Sequence, residues 1–464
     1  MKDIVIIGSG PGGYVAAIRG AQLGADVCLI ERDKLGGTCL NRGCIPTKAF
    51  YKNAEVMNTI NNSNSFGITI DSYSVDVKKI QDRKNNIVNK LVSGVEKLLE
   101  SNNIKVIKGN GSIIDNNTVL AQYDNGHTEE IKTKNIIIAT GSYPKLLPIE
   151  GINEDGVLTT KEMLEIEYIP NNLVIIGGGV VGMEFASIFN ALGSNVSVIE
   201  FLPNILNQVD KSISKRYKTM AKKKGISIYT SSKVTRISKQ NNQLEVLYDS
   251  KNKEKKIIAD TVMIAAGRAP NYNELNLENS EIKYNKDGIF VNDYYETTVK
   301  GIYAIGDVNG KSMLAHVASH QGIKAVEKIM GLDICISKEV VPSCIFVFPE
   351  IAFVGISEEE AKERNIEVNV GKYMFSANGK AMTLGEEEGF IKIISSCKDD
   401  SLLGVHILGA HASDLIHEGA IAIKNKLNVE QIINTIHAHP TLGEAFHEAT
   451  LDTKGMGLHI LPKK

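Results

Sequence analysis

Cys39 and Cys44 stand five residues apart in the stretch "GGTCLNRGCI", residues 36–45, with Pro46 and Lys48 close behind. Two thiols at this spacing can clip a metal, staple a loop, or make and break a bond between themselves. Zinc wants four protein ligands, or three and a water, and no second Cys/His cluster lies nearby in sequence; no metal site is expected. A static bridge around so short a loop would constrain little of the unfolded chain. A redox couple fits better. In a regular helix five residues advance about 7.5 Å, beyond the roughly 7 Å Cα separation that a disulfide spans. The segment must therefore bend, and Gly43 gives the backbone freedom to do so. Arg42 and Lys48 add positive charge that would favour thiolates.

Thiol chemistry also needs a base that works near neutral pH, which histidine supplies. His439 in "HAHPTLGE" is the candidate, since Pro440 biases it away from helix and lets its side chain project. A structural histidine is the competing reading. Glu444 could orient His439, but Thr441-x-x-Glu444 also reads as a capping box. His437 is a secondary candidate two residues earlier.

These groups need a scaffold, and an internal repeat supplies it. "KDIVIIGSGPGGYVAAIRGAQLGADVCLIERD" runs strand, G-x-G-x-x-G, helix and second strand, with Gly8, Gly10, Gly13 and a terminal Glu31. "NNLVIIGGGVVGMEFASIFNALGSNVSVIEFL" repeats the layout with Gly177, Gly179, Gly182 and Glu200. The acid follows the first glycine by 23 positions in both copies, close to the roughly 20 that a dinucleotide fingerprint expects. The glycines make the tight turn, admit a pyrophosphate and let helix pack on strand, while the acid accepts ribose hydroxyls. Two such sites point to two dinucleotides, FAD and a nicotinamide cofactor. Glu200, with no arginine beside it, favours NAD over its 2′-phosphorylated form.

"NIIIATGS" (135–142) and "TVMIAAGRAP" (261–270) read as late strands of the two units, ending in turns at Gly141 and Gly267 that would approach FAD and NAD. "GIYAIGDVNG" (301–310) is a further strand ending at Asp307, which could meet ligand hydroxyls or simply begin a turn.

The 464 residues, 43% hydrophobic and 23% charged with a net charge of −2, suit a soluble multidomain protein and give no reason to expect nucleic-acid or membrane binding. No apolar run reaches the roughly 20 residues of a membrane span. The first residues resemble a β-strand, not a secretion signal, so a cytoplasmic location is expected. There a disulfide that forms is a working one. Cys28, Cys335, Cys344 and Cys397 are isolated and read as buried small hydrophobes. The lysine-rich runs "KTMAKKKG" and "KNKEKK" read as solvated faces.

The order of FAD fingerprint, "GGTCLNRGCIPTK", NAD fingerprint, "IYAIGD" and late "AHPTLGE" resembles the pyridine nucleotide-disulfide oxidoreductases over essentially the whole length. The resemblance is strongest to those members that oxidise dihydrolipoamide. It implies two doubly wound, Rossmann-like nucleotide-binding domains (1–145 for FAD, 146–270 for NAD), a central segment (271–341) completing the FAD site and an α+β C-terminal dimerisation domain (342–464). It further implies that Cys44 faces the flavin, that Cys39 exchanges with substrate thiols, and that Lys48 lies near the flavin, paired with Glu184. Asp307 would hold the ribityl chain. His439, oriented by Glu444, would serve the disulfide of the other subunit in a homodimer. The lipoyl group would arrive on a partner, the lipoyl domain of an acyltransferase or an H-protein-type carrier. A reductase of small disulfides and a non-catalytic flavoprotein are the alternatives. The tail "GMGLHILPKK" carries no extra cysteines of the mercuric or thioredoxin reductase kind.

Overall fold

A computed structural model describes residues 1–241, 243–333 and 339–461. Cys335 therefore lies outside the described residues. The chain opens with strand β1 (Lys2–Ile7), whose residues 4–7 are buried, and runs through the first glycine turn into helix α1 (Pro11–Gln22). Strand β2 (Val27–Glu31) returns beside β1 and ends at the acid. The turn is built as the spacing demands. Gly8 has φ +100°, and a Cβ on Gly13 would sit 1.8 Å from the Gly8 carbonyl oxygen, so helix and strand can meet only through glycine.

Two helices follow, α2 (Gly37–Arg42) and α3 (Cys44–Asn61), then the long α4 (Val77–Ser101). Strands β3 (Lys105–Asp115), β4 (Thr118–Tyr123) and β5 (Thr128–Ile138) close the first unit. β3, β2, β1 and β5 are parallel neighbours in that order, and strand Ile302–Ala304 adds to β5 from far downstream. β3 and β5 run on to pair antiparallel with β4. Continuous apolar strands buried on both faces are what a parallel sheet calls for. The segment after residue 270 thus returns to the first sheet.

The second unit repeats the plan. Strand Asn172–Ile176 leads through the second glycine turn into helix Val180–Ala191, and strand Asn195–Ile199 ends beside Glu200. Its parallel sheet runs 227–229, 195–199, 172–176, 261–264, 157–158, with a three-stranded antiparallel sheet formed by 232–240, 243–250 and 253–259. The chain crosses between the units twice, and the crossings pair antiparallel as a ribbon, 142–144 against 268–270.

The C-terminal unit is a five-stranded antiparallel sheet ordered 343–345, 351–355, 402–408, 390–396, 368–374. Helices Ala412–Lys424 and Glu444–Asp452 pack against it. Among the described residues no helix is long and apolar enough to cross a membrane.

Candidate active site

α2 docks straight onto the first glycine turn. Gly36 N–H donates to the Ser9 carbonyl at 3.0 Å, and a Cβ on Gly37 would lie 2.7 Å from the Gly10 Cα. The cysteine segment is thereby fixed against the fingerprint loop. The helical path breaks at Gly43, which caps both helices with φ −144° and ψ −113°. A Cβ there would press on the Thr38 carbonyl oxygen at 3.0 Å. The break brings Cys39, in α2, and Cys44, the first residue of α3, into side-chain hydrogen-bond contact. Both are free thiols, so the structure holds the dithiol form and not the disulfide.

The two sulfurs are inequivalent. The hydrogen bond from Cys39 lowers the Cys44 thiol to about 7, against the opposing effect of burial and with help from the Lys48 charge. Cys39 moves upward, because it donates to Cys44 and is itself desolvated. Arg42 does not take the part expected of it. Its guanidinium pairs with Asp33, so of the two expected cations it is Lys48 whose charge lowers Cys44.

One turn into α3, Lys48 Nζ meets Glu184 Oε1 and Oε2, each at 3.0 Å. The Glu184 side chain, 6% exposed, lies on the second glycine helix. Its Oε1 also accepts the Phe346 N–H at 2.9 Å, and the Phe346 ring lies 4.4 Å from Lys48 Nζ. All three units thus converge on one ammonium group. Phe346 was not legible in the sequence, since "SCIFVF" reads as an ordinary core strand.

The two acids hold matching places. Glu31 accepts from Ser9 N (2.8 Å), Ser9 Oγ (2.6 Å) and Asp33 N (2.8 Å). Glu200 accepts from Gly178 N (2.5 Å) and Leu202 N (2.6 Å). Each carboxylate is aimed by the residue after the first glycine and by the second residue beyond itself. A Cβ built on Gly10 or Gly179 meets nothing within 4 Å, so each loop leaves open space where a pyrophosphate would approach. Gly141 and Gly267, with φ +71° and +97°, sit in the two crossing turns, and their would-be Cβ atoms also face open space. Asp307 stands just past strand Ile302–Ala304 and accepts a hydrogen bond from Ser142 Oγ. These residues fit two dinucleotides.

His439 lies in the loop ahead of helix Glu444–Asp452, its side chain 77% exposed. Its Nδ1 meets Glu444 Oε1 at 2.8 Å, while Glu444 Oε2 accepts the Thr441 N–H at 2.9 Å. Glu444 thus divides its oxygens between His439 and Thr441, but the expected capping box does not form: the helix begins after Gly443, and the Thr441 hydroxyl donates to the Ala438 carbonyl at 2.7 Å. Burial would raise the Glu444 carboxyl, but the Thr441 amide and His439 outweigh it and hold it below its usual range. His437 is turned elsewhere: Nε2 meets Glu418 Oε1 at 2.8 Å and Nδ1 the Thr435 carbonyl at 2.9 Å.

The other cysteines divide. Cys28 is fully buried in β2, as expected. Cys344 is only half-buried and Cys397 is exposed. The latter follows strand 390–396 directly, in the turn that leads to strand 402–408.

The model of the pyridine nucleotide-disulphide oxidoreductases matches residues 2–322, and that of their dimerisation domain matches residues 341–450. This chain belongs to the pyridine nucleotide-disulphide oxidoreductase family. Members of this family use FAD and a nicotinamide cofactor, which suits the two glycine loops. Similar family members include dihydrolipoyl dehydrogenases from Bacillus subtilis (41% identical, covering 99% of both chains) and Chlamydia pneumoniae (41%, 99% of both). Among solved structures, the HOCl-induced flavoprotein disulfide reductase RclA from Escherichia coli superposes with TM-score 0.87 at 28% identity, over 97% of this chain and 99% of that one. LpdA from Mycobacterium tuberculosis superposes with TM-score 0.91 at 24% identity, over 97% and 99%, and shows the shared fold.

Proposed function

We infer that this chain oxidises protein-bound dihydrolipoamide to lipoamide and delivers the electrons to NAD⁺, as the dehydrogenase component of a 2-oxo acid dehydrogenase, acetoin-cleaving or glycine-cleavage type complex. The observation that carries the reading is the inequivalent Cys39–Cys44 pair, held on the first glycine loop beside Lys48 and Glu184. The near full-length likeness to dihydrolipoyl dehydrogenases supports the substrate. The likeness of residues 341–450 to a dimerisation domain supports a homodimer. The enzyme is expected to work in the cytoplasm, with the lipoyl group arriving on an acyltransferase domain or an H-protein-type carrier.

The cycle starts from the Cys39–Cys44 disulfide. His439 of one protomer takes the proton from a substrate thiol at the cysteines of its partner. The substrate sulfur attacks Cys39 Sγ, and the disulfide bond breaks with its electron pair going to Cys44. The second substrate thiol then attacks the first substrate sulfur, closing the lipoamide ring and releasing Cys39 as a thiol. Bound FAD supplies the two-electron carrier between Cys44 and NAD⁺. Glu31 and Asp307 are assigned to FAD with Gly8, Gly10, Gly13, Lys48 and Gly141. Glu200 is assigned to NAD with Gly177, Gly179, Gly182, Glu184 and Gly267. Glu444 keeps the tautomer of His439 that leaves Nε2 free to accept.

Steady-state rates decide the matter. Dihydrolipoamide with NAD⁺ should be turned over far better than glutathione disulfide or coenzyme A disulfide with NADH or NADPH. Preference for a small disulfide would overturn the substrate assignment and favour a reductase of the RclA kind.

A further inference from the structure

Asp307 is fixed by a relay that starts in the second unit. Arg268 is the first residue of strand Arg268–Pro270, which pairs with Ser142–Pro144 where the chain crosses between the units. Its Nε donates to Ser142 Oγ at 2.7 Å, and its Nη2 donates to the Ser142 carbonyl at 2.6 Å. The Ser142 hydroxyl in turn donates to Asp307 Oδ2. The direction of the relay follows from chemistry. A guanidinium has no acceptor, so Ser142 Oγ must accept from it, and the single hydroxyl proton is left for Asp307. Arg268 Nε itself lies 3.9 Å from Asp307 Oδ2, with both side chains 23% exposed, so the relay is largely screened from water. Burial pulls the guanidinium down from its usual range, while the charges of Asp307 and Cys44 oppose that, which puts Arg268 within electrostatic reach of the redox pair.

We propose that Arg268 and Ser142 are positioning residues for FAD: they lock Asp307 Oδ2 from behind, so that Oδ1 presents a fixed acceptor to the ribityl hydroxyls. The FAD clamp is thus set in part by the strand that ends the nicotinamide unit. The proposal rests on the assignment of Asp307 to FAD.

The test is reconstitution of full-length apoprotein with FAD, followed by flavin fluorescence, for Arg268→Met, Ser142→Ala, Ser142→Thr, the Arg268→Met/Ser142→Ala pair and Asp307→Ala. Each relay variant should weaken FAD by about tenfold to a hundredfold, the range of one lost charge-assisted hydrogen bond. The pair should be no weaker than the worse single variant, because both remove the same link. Ser142→Thr, which keeps the hydroxyl, should restore wild-type affinity. Wild-type affinity in Arg268→Met and Ser142→Ala, or losses that add in the pair, would overturn the relay. If Asp307→Ala loses FAD while the relay variants keep it, only the relay fails. If Asp307→Ala binds FAD normally, the assignment of Asp307 fails and the relay with it. Apoprotein melting temperature is followed throughout, and should Arg268→Met fail to fold, Ser142→Ala against Ser142→Thr decides.

Discussion

Lys48 Nζ faces both carboxylate oxygens of Glu184 at 3.0 Å, across the seam between the two nucleotide units. The first residue belongs to the cysteine helix and the second to the helix of the other glycine turn, 136 positions away. Neither is distinctive in its own stretch of sequence. Together they place a fixed positive charge next to a thiol already lowered by its neighbour.

Glu184→Gln should separate these contributions. The amide oxygen still accepts the Phe346 N–H, but the charge that holds Lys48 is gone. Removing a preorganised donor that touches the reacting atoms costs about 10²–10³ in turnover, and Glu184 acts one contact removed, through Lys48. We expect kcat with dihydrolipoamide to fall at least tenfold while FAD stays bound. Stopped-flow reduction by dihydrolipoamide checks it, and an unaltered reduction rate would remove Glu184 from the redox centre.

Cys39 holds the Cys44 thiolate by donating its S–H. A donor to the charged form lowers a pKa, so its loss raises it. In Cys39→Ala the Cys44 thiol should titrate above its present value of about 7, toward the usual thiol range near 8.5. The Lys48 charge keeps part of the lowering. Thiolate ultraviolet absorbance against pH reads this out. A Cys44 titration that stays put in Cys39→Ala would mean that Lys48 alone sets it.

Much of this site is written locally, and what is not is written across long distances. The glycine turns and their acids are legible because each is a single strand-turn-helix with fixed spacing. The bend at Gly43 is legible because five-residue spacing cannot close on a straight helix. Glu444 is ambiguous in sequence for a good reason: its two oxygens serve Thr441 and His439 at once. Phe346, Ser142 and Arg268 escaped notice because their roles exist only after distant strands pair. Arg42 misled because charge alone does not reveal the competing partner, Asp33.

Glu444→Gln should damage catalysis more than stability. The amide oxygen can still accept the Thr441 N–H, yet it no longer stabilises a protonated His439. Because Glu444 acts through His439 and does not itself take the substrate proton, the loss should be smaller than loss of the base itself, about tenfold to a hundredfold in kcat. The wild-type carboxyl, held below its usual range, stays ionised as the pH falls through that range. Acid loss of wild-type activity should therefore not follow Glu444. Wild-type activity lost through the ordinary carboxylate range, at about pH 4.3, with that loss absent in Glu444→Gln, would contradict this.

His406 offers a test of stability away from the redox centre. It is 1% exposed in the C-terminal sheet, with Nε2 against the Ile356 carbonyl at 3.0 Å and Nδ1 unpartnered. Asp210 of the second unit lies nearby, bound to Lys392 Nζ at 2.8 Å, and Lys392 also meets Glu358 at 2.6 Å. Burial lowers the His406 pKa, opposed by the Ile356 carbonyl and Asp210 and reinforced by Lys392; Glu359 opposes it as well. For a histidine lowered on folding, stability is full above its unfolded value of about 6.5 and declines as pH falls below it. Asp210 behaves as a lowered carboxylate: burial would raise it, but Lys392 and Ser212 bring it down to about 2. Its stabilisation is present above about 3.9 and is lost only as pH falls toward its folded value. Of these two groups, His406 therefore gives the earlier acid loss. His406→Gln keeps an N–H donor without titrating, so its melting temperature should fall less steeply than the wild type between about pH 7 and pH 5. Parallel slopes would show that His406 does not titrate on unfolding in that window.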